Sequence, residues 1–296
     1  MINNIKIITN LEEPIKKLLT NKSSQDSHTI DLNKNYFIYR NGGQELTFAF
    51  KKYLFNPFIK AHDELTTGAG IYFDNDESQE KYAKEYINIL KNTTLLGVWS
   101  AYETKERINF YEKNNIKLIN ATCEIIEPFF YFKNQKNILK NILKNKKLLI
   151  ICSHTKSIEH QLPFLDKIFE PYTIFDNNTF IILKPPQTHC GNHNNTDWSE
   201  HLKKFYKELD EVKDDFDIAL IAAGGYGAFI GNYIFNKLNK SSIYIGGALQ
   251  LYFGIMGNRW RPYFKFDTFP NSYWLDHPLS EDIPTNTQII EDSCYW

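Results

Sequence analysis

The sequence predicts an α/β protein: a mostly parallel sheet covered by helices on both faces, with an irregular aromatic C-terminal tail. Two observations predict it. Seven short apolar runs read as buried strands. Segments with apolar residues at helical spacing lie between most of them. Strands alternating with helices imply βα units and a parallel sheet.

In chain order the strand runs are "YFIY" (36–39), "LLGVW" (95–99), "IKLI" (116–119), "KLLIIC" (147–152), "FIIL" (180–183), "FDIALIAA" (216–223) and "SIYIGG" (242–247). The helical patterns are "SQEKYAKEYINIL" (78–90), "KERINFYEKN" (105–114), "SIEHQLPFLDKIF" (157–169) and "WSEHLKKFYKELDEV" (198–212). The basic "KNQKNILKNILKNKK" (133–147) gathers Ile138, Leu139, Ile142 and Leu143 on one face. That face is expected in the core with the lysines solvated; the alternative is peripheral contact with the inner face of an anionic membrane. No Pro/Gly/Ser-rich linker and no internal repeat is visible, so 1–296 reads as a single domain. Residues 1–35 are then peripheral and 261–296 form the packed tail.

Composition narrows the function classes. A net charge of −1 carries no basic footprint, which argues against a nucleic-acid partner. Cys123, Cys152, Cys190 and Cys294 are scattered without a CxxC, so a reducing cytoplasm is expected. The N-terminus lacks the apolar core of a signal peptide. No apolar run approaches the ~18 residues of a spanning helix.

The most chemical stretch is "FDIALIAAGGYGAFIGNYIF" (216–235). Gly224, Gly225, Tyr226 and Gly227 form a strand–helix turn, where glycine admits close backbone approach and helix N–H groups offer an anion site. A dinucleotide fold would also need an acid at the end of the next strand. Gly246 and Gly247 stand there, so NAD(P) is the less favoured ligand. Two neighbouring strands thus end in glycine turns. A bulky phosphorylated ligand and a purely structural turn both remain open.

Other candidates are fewer. In "YRNGGQEL", Arg40 could hold a phosphate and Glu45 could act as a base or metal ligand, or the two could simply pair. Asp74-x-Asp76 suits Mg²⁺ or Mn²⁺. The "DESQ" spacing favours the alternative, with Asp76 as N-cap and Gln79 completing the box. Ser153 and Ser157, after the "KLLIIC" strand, offer a second anion turn. His189, Cys190 and His193 make only half a zinc site, so zinc is not expected, nor is haem.

The segment "FDIALIAAGGYGAFIGNYIFNKLNKSSIYIGGALQLYFGIMGNRW" resembles bacterial proteins encoded among capsule and lipopolysaccharide genes. "LLIICSHTKSIEHQ", "YRNGGQEL" and the closing "IIEDSCYW" extend the likeness in order over about 36–296, most specifically in the last third. These proteins are similar to GT-D-type glycosyltransferases, whose Rossmann-like domain carries Asp-x-Glu within Arg-x-Gly-Asp-Gly-Glu. Arg40, Gly42 and Glu45 coincide with that motif; Gly43 stands at the Asp and Gln44 at the second Gly. Ser153–His154 replaces the family's Pro-Phe.

The resemblance implies a nucleotide-sugar donor and a glycan or lipid-linked acceptor. Gly42, Ser153, Ser157, Gly224, Gly225, Tyr226, Gly227, Gly246, Gly247, Gln250 and Arg259 would bind the donor. Arg40 and Glu45 would be catalytic. Glu45, Asp74 and Asp76 are the candidates for Mn²⁺ or Mg²⁺. The alternatives are a different transferase or a non-catalytic nucleotide-binding protein of such a gene cluster. Nothing in the sequence indicates the oligomeric state.

Overall fold

The computed structural model describes residues 4–6, 29–31, 33–56, 58–61, 63–99, 103–134, 137–263, 269–286 and 295–296. The expectation for 1–35 and most of "IIEDSCYW", with Cys294, lie outside the described residues.

Strands β1 (Asn4–Lys6) and β2 (Thr29–Asp31) pair antiparallel as a separate ribbon. The seven anticipated strands all form. They are β3 (Phe37–Arg40), β4 (Leu95–Val98), β5 (Leu118–Asn120), β6 (Lys147–Ile151), β7 (Thr179–Leu183), β8 (Ile218–Ile221) and β9 (Ser241–Tyr244). They join one all-parallel sheet in the order β5-β4-β3-β9-β8-β6-β7. From β3 the chain steps outward to β4 and β5, then crosses to β6 and β7. It returns through β8 to β9, which closes against β3 with Tyr39 opposite Tyr244. After β3 the chain passes to residues 43–50 on one face of the sheet, and after β9 to residues 249–252 on the other, so the two loops part at this pair. Such a switch point, at the carboxyl ends of the strands, is where open α/β sheets bind ligands.

The helices are α1 (Gly43–Phe50), α2 (Asp63–Thr67), α3 (Asp76–Asn92), α4 (Lys105–Lys113), α5 (Ile138–Leu143), α6 (Thr155–Gln161), α7 (Leu165–Ile168), α8 (Trp198–Glu211), α9 (Gly227–Asn236) and α10 (Leu249–Tyr252). Alternate strand residues enter two cores. Tyr39, Leu96, Leu149, Ala219 and Tyr244 face α1, α3, α8 and α9. Ile38, Leu95, Ile150, Leu220 and Ile243 face the other side, where α5–α7 are joined by Trp260, Phe269 and Trp274 of the tail. Burial on both faces explains why the strands read as unbroken apolar runs. The fold is therefore α/β and Rossmann-like, and the described part of the aromatic tail completes one layer.

Local sequence explains the helices that matter. In α8, Trp198, Leu202, Phe205 and Leu209 lie on one buried face, and Asp197 caps the helix by accepting from Ser199 N at 2.9 Å. In α3 the cap is Asn75, which accepts from Ser78 N, so Asp76 is the first helical residue and not the N-cap the spacing suggested. The side chain of Gln79 instead accepts from Ala61 N. The pattern at 157–169 breaks at Pro163, which cannot donate to a continuing helix, and yields α6, a 3₁₀ turn and α7. In the basic segment Leu139, Ile142 and Leu143 are core, while Lys140 and Lys144 reach Asp176 at 3.8 and 2.8 Å. Among the described residues no helix is long and apolar enough to cross a membrane.

Candidate functional site

The seven parallel strands end on one edge of the sheet, and Arg40, Glu45 and Glu127 come from the ends of β3 and β5 there. Arg40 ends β3. Its guanidinium lies over the Trp99 ring, 5.2 Å from the centroid, where β4 ends. On the other side it meets the turn after β9. Gly246 has φ +72°, and a Cβ there would overlap the Arg40 guanidinium. Only glycine satisfies both demands at this position. Among the described residues Arg40 forms no ion pair or hydrogen bond, and its Nε is buried without a partner.

Two carboxylates share its field. Glu45 is 7% exposed and stands at the third position of α1, folded back so that a Cβ on Gly42 would overlap it. Burial raises its carboxyl above the ordinary value, opposed by its own backbone N–H and by Arg40. Glu127 is 6% exposed and lies on the turn after β5. Burial pushes its carboxyl up to about 7, with Arg40 pulling the other way. A guanidinium and two buried carboxylates thus converge without hydrogen-bonding one another. Charged groups taken out of water this way are costly unless something bridges them.

The glycine loop is placed differently from its expected donor-binding role. Gly225 N donates to Ala69 O at 2.9 Å, Tyr82 OH to Gly225 O at 3.1 Å, and Tyr244 OH to Gly224 O at 3.1 Å. The Ile71 side chain packs where a Gly225 Cβ would be, and the Tyr244 ring does so at Gly227. His189 lies against Gly224; burial lowers its imidazole to about 4, leaving it neutral. Tyr226 is buried and its hydroxyl accepts from Thr188 Oγ1. Residues 69–71 and 188–189 therefore occupy the space expected for a phosphate. These glycines serve close packing of the chain on itself.

The second anion turn is likewise filled from within. Asp282 of the tail accepts from Lys156 N (3.1 Å), Ser157 N (2.7 Å) and Ser157 Oγ (2.7 Å). Ser157 is thus committed to a carboxylate of its own chain, and a donor phosphate is not its partner. Ser153 remains partly exposed on this rim. Asp282→Ala leaves those buried donors unmet, and should cost roughly 1–3 kcal/mol in urea unfolding, with Asp282→Asn milder. Beside this turn His154 is buried with Nε2 unpartnered, and burial lowers it to about 4.

The tail also takes two other candidates. Gln250 Nε2 donates to Ile255 O and Tyr295 O. Arg259 Nη1 donates to Tyr295 OH at 2.7 Å, and the guanidinium stacks on that ring. The Tyr295 ring covers Gly247. Arg259 and Gln250 are thus engaged by Tyr295, whereas Arg40 has no such partner among the described residues.

The donor set does not fit a divalent cation. Glu45 has a cation, Arg40, in its field and Gly43 where the acidic pair would need an Asp. Asp74 N donates to Asp197 Oδ2, and exposed Asp76 faces Lys60 at 3.9 Å. Among the described residues no three His, Cys, Asp or Glu side chains come together.

The sequence reading missed Glu127 and Trp99. The signal for Glu127 was available: an acid inside the apolar "CEIIEPFF" just past a strand's carboxyl end. Two openings in the surface avoid the rim or only border it. One of about 330 Å³ runs along the solvent face of α3 and α8 between Lys81, Trp198 and Tyr206. The other, about 170 Å³, borders α1 at Gly43, Gln44 and Thr47, beside Glu45. No family model, curated protein or solved structure matches the chain.

Proposed function

We propose that this protein is a nucleotide-sugar-dependent glycosyltransferase of bacterial surface-glycan assembly. The observation that carries the reading is the Arg40 guanidinium at the β3–β9 switch point, without an ion pair among the described residues, in the field of two buried carboxylates and beside a glycine that leaves it room. A sugar diphosphate is complementary to that set. Its phosphate oxygens accept from the guanidinium, and hydroxyls donate to carboxylates. As the sugar–phosphate bond breaks, charge grows on the leaving diphosphate and Arg40 offsets it. A carboxylate of the cluster takes the proton of the attacking acceptor hydroxyl. Glu45 was the sequence's candidate for that role.

The test is a panel of nucleotide sugars assayed for nucleoside diphosphate release, with and without Mn²⁺. One donor is expected to turn over, and Arg40→Met to lower its turnover roughly 100- to 1,000-fold. Failure of every donor to bind or react sinks the reading. The second reading, a nucleotide-binding protein without chemistry, draws support from Gly43 at the acidic position. It predicts that a nucleotide sugar raises the melting temperature and is never cleaved.

A further inference from the structure

The cluster holds two carboxylates, and their surroundings differ. Glu45 has a structural occupation. It is the N3 residue of α1, and its carboxylate lies at the helix start against Gly42, drawing on its own N–H. Carboxylates at that position are favoured simply by the helix dipole and free N–H groups. Glu127 has no such occupation. Its side chain has no hydrogen-bond partner among the described residues, although the residue is only 6% exposed. Its turn is held by other groups: Glu127 N donates to Cys123 O at 2.8 Å, and Tyr252 OH donates to Ile126 O at 2.7 Å. Ile126 and the Arg40 backbone both crowd the place where a Gly97 side chain on β4 would begin, which sets this turn beside the end of β3. This hydrogen-bonded turn therefore brings the carboxylate of a largely buried residue into the field of Arg40.

We propose that Glu127 is the proton acceptor of this site, taking the acceptor hydroxyl proton while Glu45 fixes the start of α1 beside Arg40. The assignment rests on the transfer reaction proposed above. In the step, the acceptor oxygen bonds to the anomeric carbon and its proton moves to a Glu127 oxygen. The bond from that carbon to the phosphate oxygen breaks, and its electron pair leaves on the diphosphate. The protonated Glu127 then returns its proton to water.

The electrostatics agree with the geometry. A base works best when its pKa lies near the working pH, and Glu127 sits at about 7. The groups around it are Arg40 from β3, Tyr252 from α10, Cys123 and Glu124 on its own turn, and Tyr131 just beyond. Burial raises Tyr252, Tyr131 and Cys123, the thiol to about 12, so these three stay neutral through the range in which Glu127 titrates.

Two measurements on the full chain test this. With glutamate carboxyls labelled by ¹³C, one carboxyl should titrate near pH 7 in the wild type and in E45Q, and vanish in E127Q. On the donor that turns over, E127Q should lower kcat/KM roughly 100- to 10,000-fold and remove the acidic limb of the pH profile. E127D should recover part of the loss, and E45Q should keep the limb. A Glu127 midpoint in the ordinary carboxylate range overturns the assignment, as does E127Q turnover within threefold of wild type or loss of the limb in E45Q. If the titration is as expected and no donor reacts, the transfer reading fails, and the base role falls with it.

Discussion

Arg40→Met is expected to lower turnover roughly 100- to 1,000-fold, the usual effect of removing one preorganised charge from a transition state. Methionine keeps an apolar stem and loses only the guanidinium stacked over Trp99, so the melting temperature should change little. A second readout needs no substrate. Arg40 pulls the Glu45 and Glu127 carboxyls down against the effect of burial. Without it both should titrate higher, and the carboxyl near 7 should move upward. Arg40→Lys keeps the charge and loses the planar fork, so it should hold the titration and recover only part of the rate. Turnover by Arg40→Met within threefold of wild type would remove Arg40 from the mechanism.

Gly227→Ala should be the most damaging single methyl in the protein's central turn. The new Cβ would lie inside the ring of Tyr244. That ring cannot step aside: it stacks on Tyr39 at 5.1 Å, and its hydroxyl is tied to Gly224 O. Overpacking of this kind costs about 1–3 kcal/mol, and the upper end is expected where no neighbour yields. For a chain of 296 residues that corresponds to a fall of roughly 2–5 °C in Tm. Gly43→Ala is the control, since nothing lies within 4 Å of the added Cβ. It should stay within about 0.5 kcal/mol. Calorimetry of the two variants decides the matter, and equal Tm values would mean that the turn at Gly227 yields where we hold it rigid.

The strands were legible because both faces of the sheet are buried, which writes each one as a short unbroken apolar run. "FIIL" and "KLLIIC" became β7 and β6 within a residue or two. Their order was not legible. Nothing local to "SIYIGG" says that it pairs with "YFIY", because pairing is decided by which crossovers fit over the sheet. The site divides along the same line. Arg40 and Glu45 were legible from their place after a strand, and the structure puts them within one another's field. The glycine loop misled for a physical reason. Glycine marks close approach by any backbone or side chain, and here the approaching atoms are Ile71, Tyr244 and His189. The same holds for Ser157, whose expected anion is Asp282, more than a hundred residues away. Glu127 was passed over because it reaches the rim through a turn with no motif; an acid inside an apolar run past a strand end was its one sequence signal, and its burial bears that signal out.

The adjacency of β3 and β9 bears on how the chain comes into being. Phe37 waits for Ser242, about two hundred residues downstream, to complete the middle of the sheet. At roughly 5–20 residues per second of synthesis, that interval is about 10–40 s. Throughout it β3, β4 and β5 can pair among themselves while the flank that becomes the switch point is a bare apolar edge. The nascent chain is thus a client for holding chaperones until its last strand emerges, and Arg40 acquires its setting only in the final act of folding.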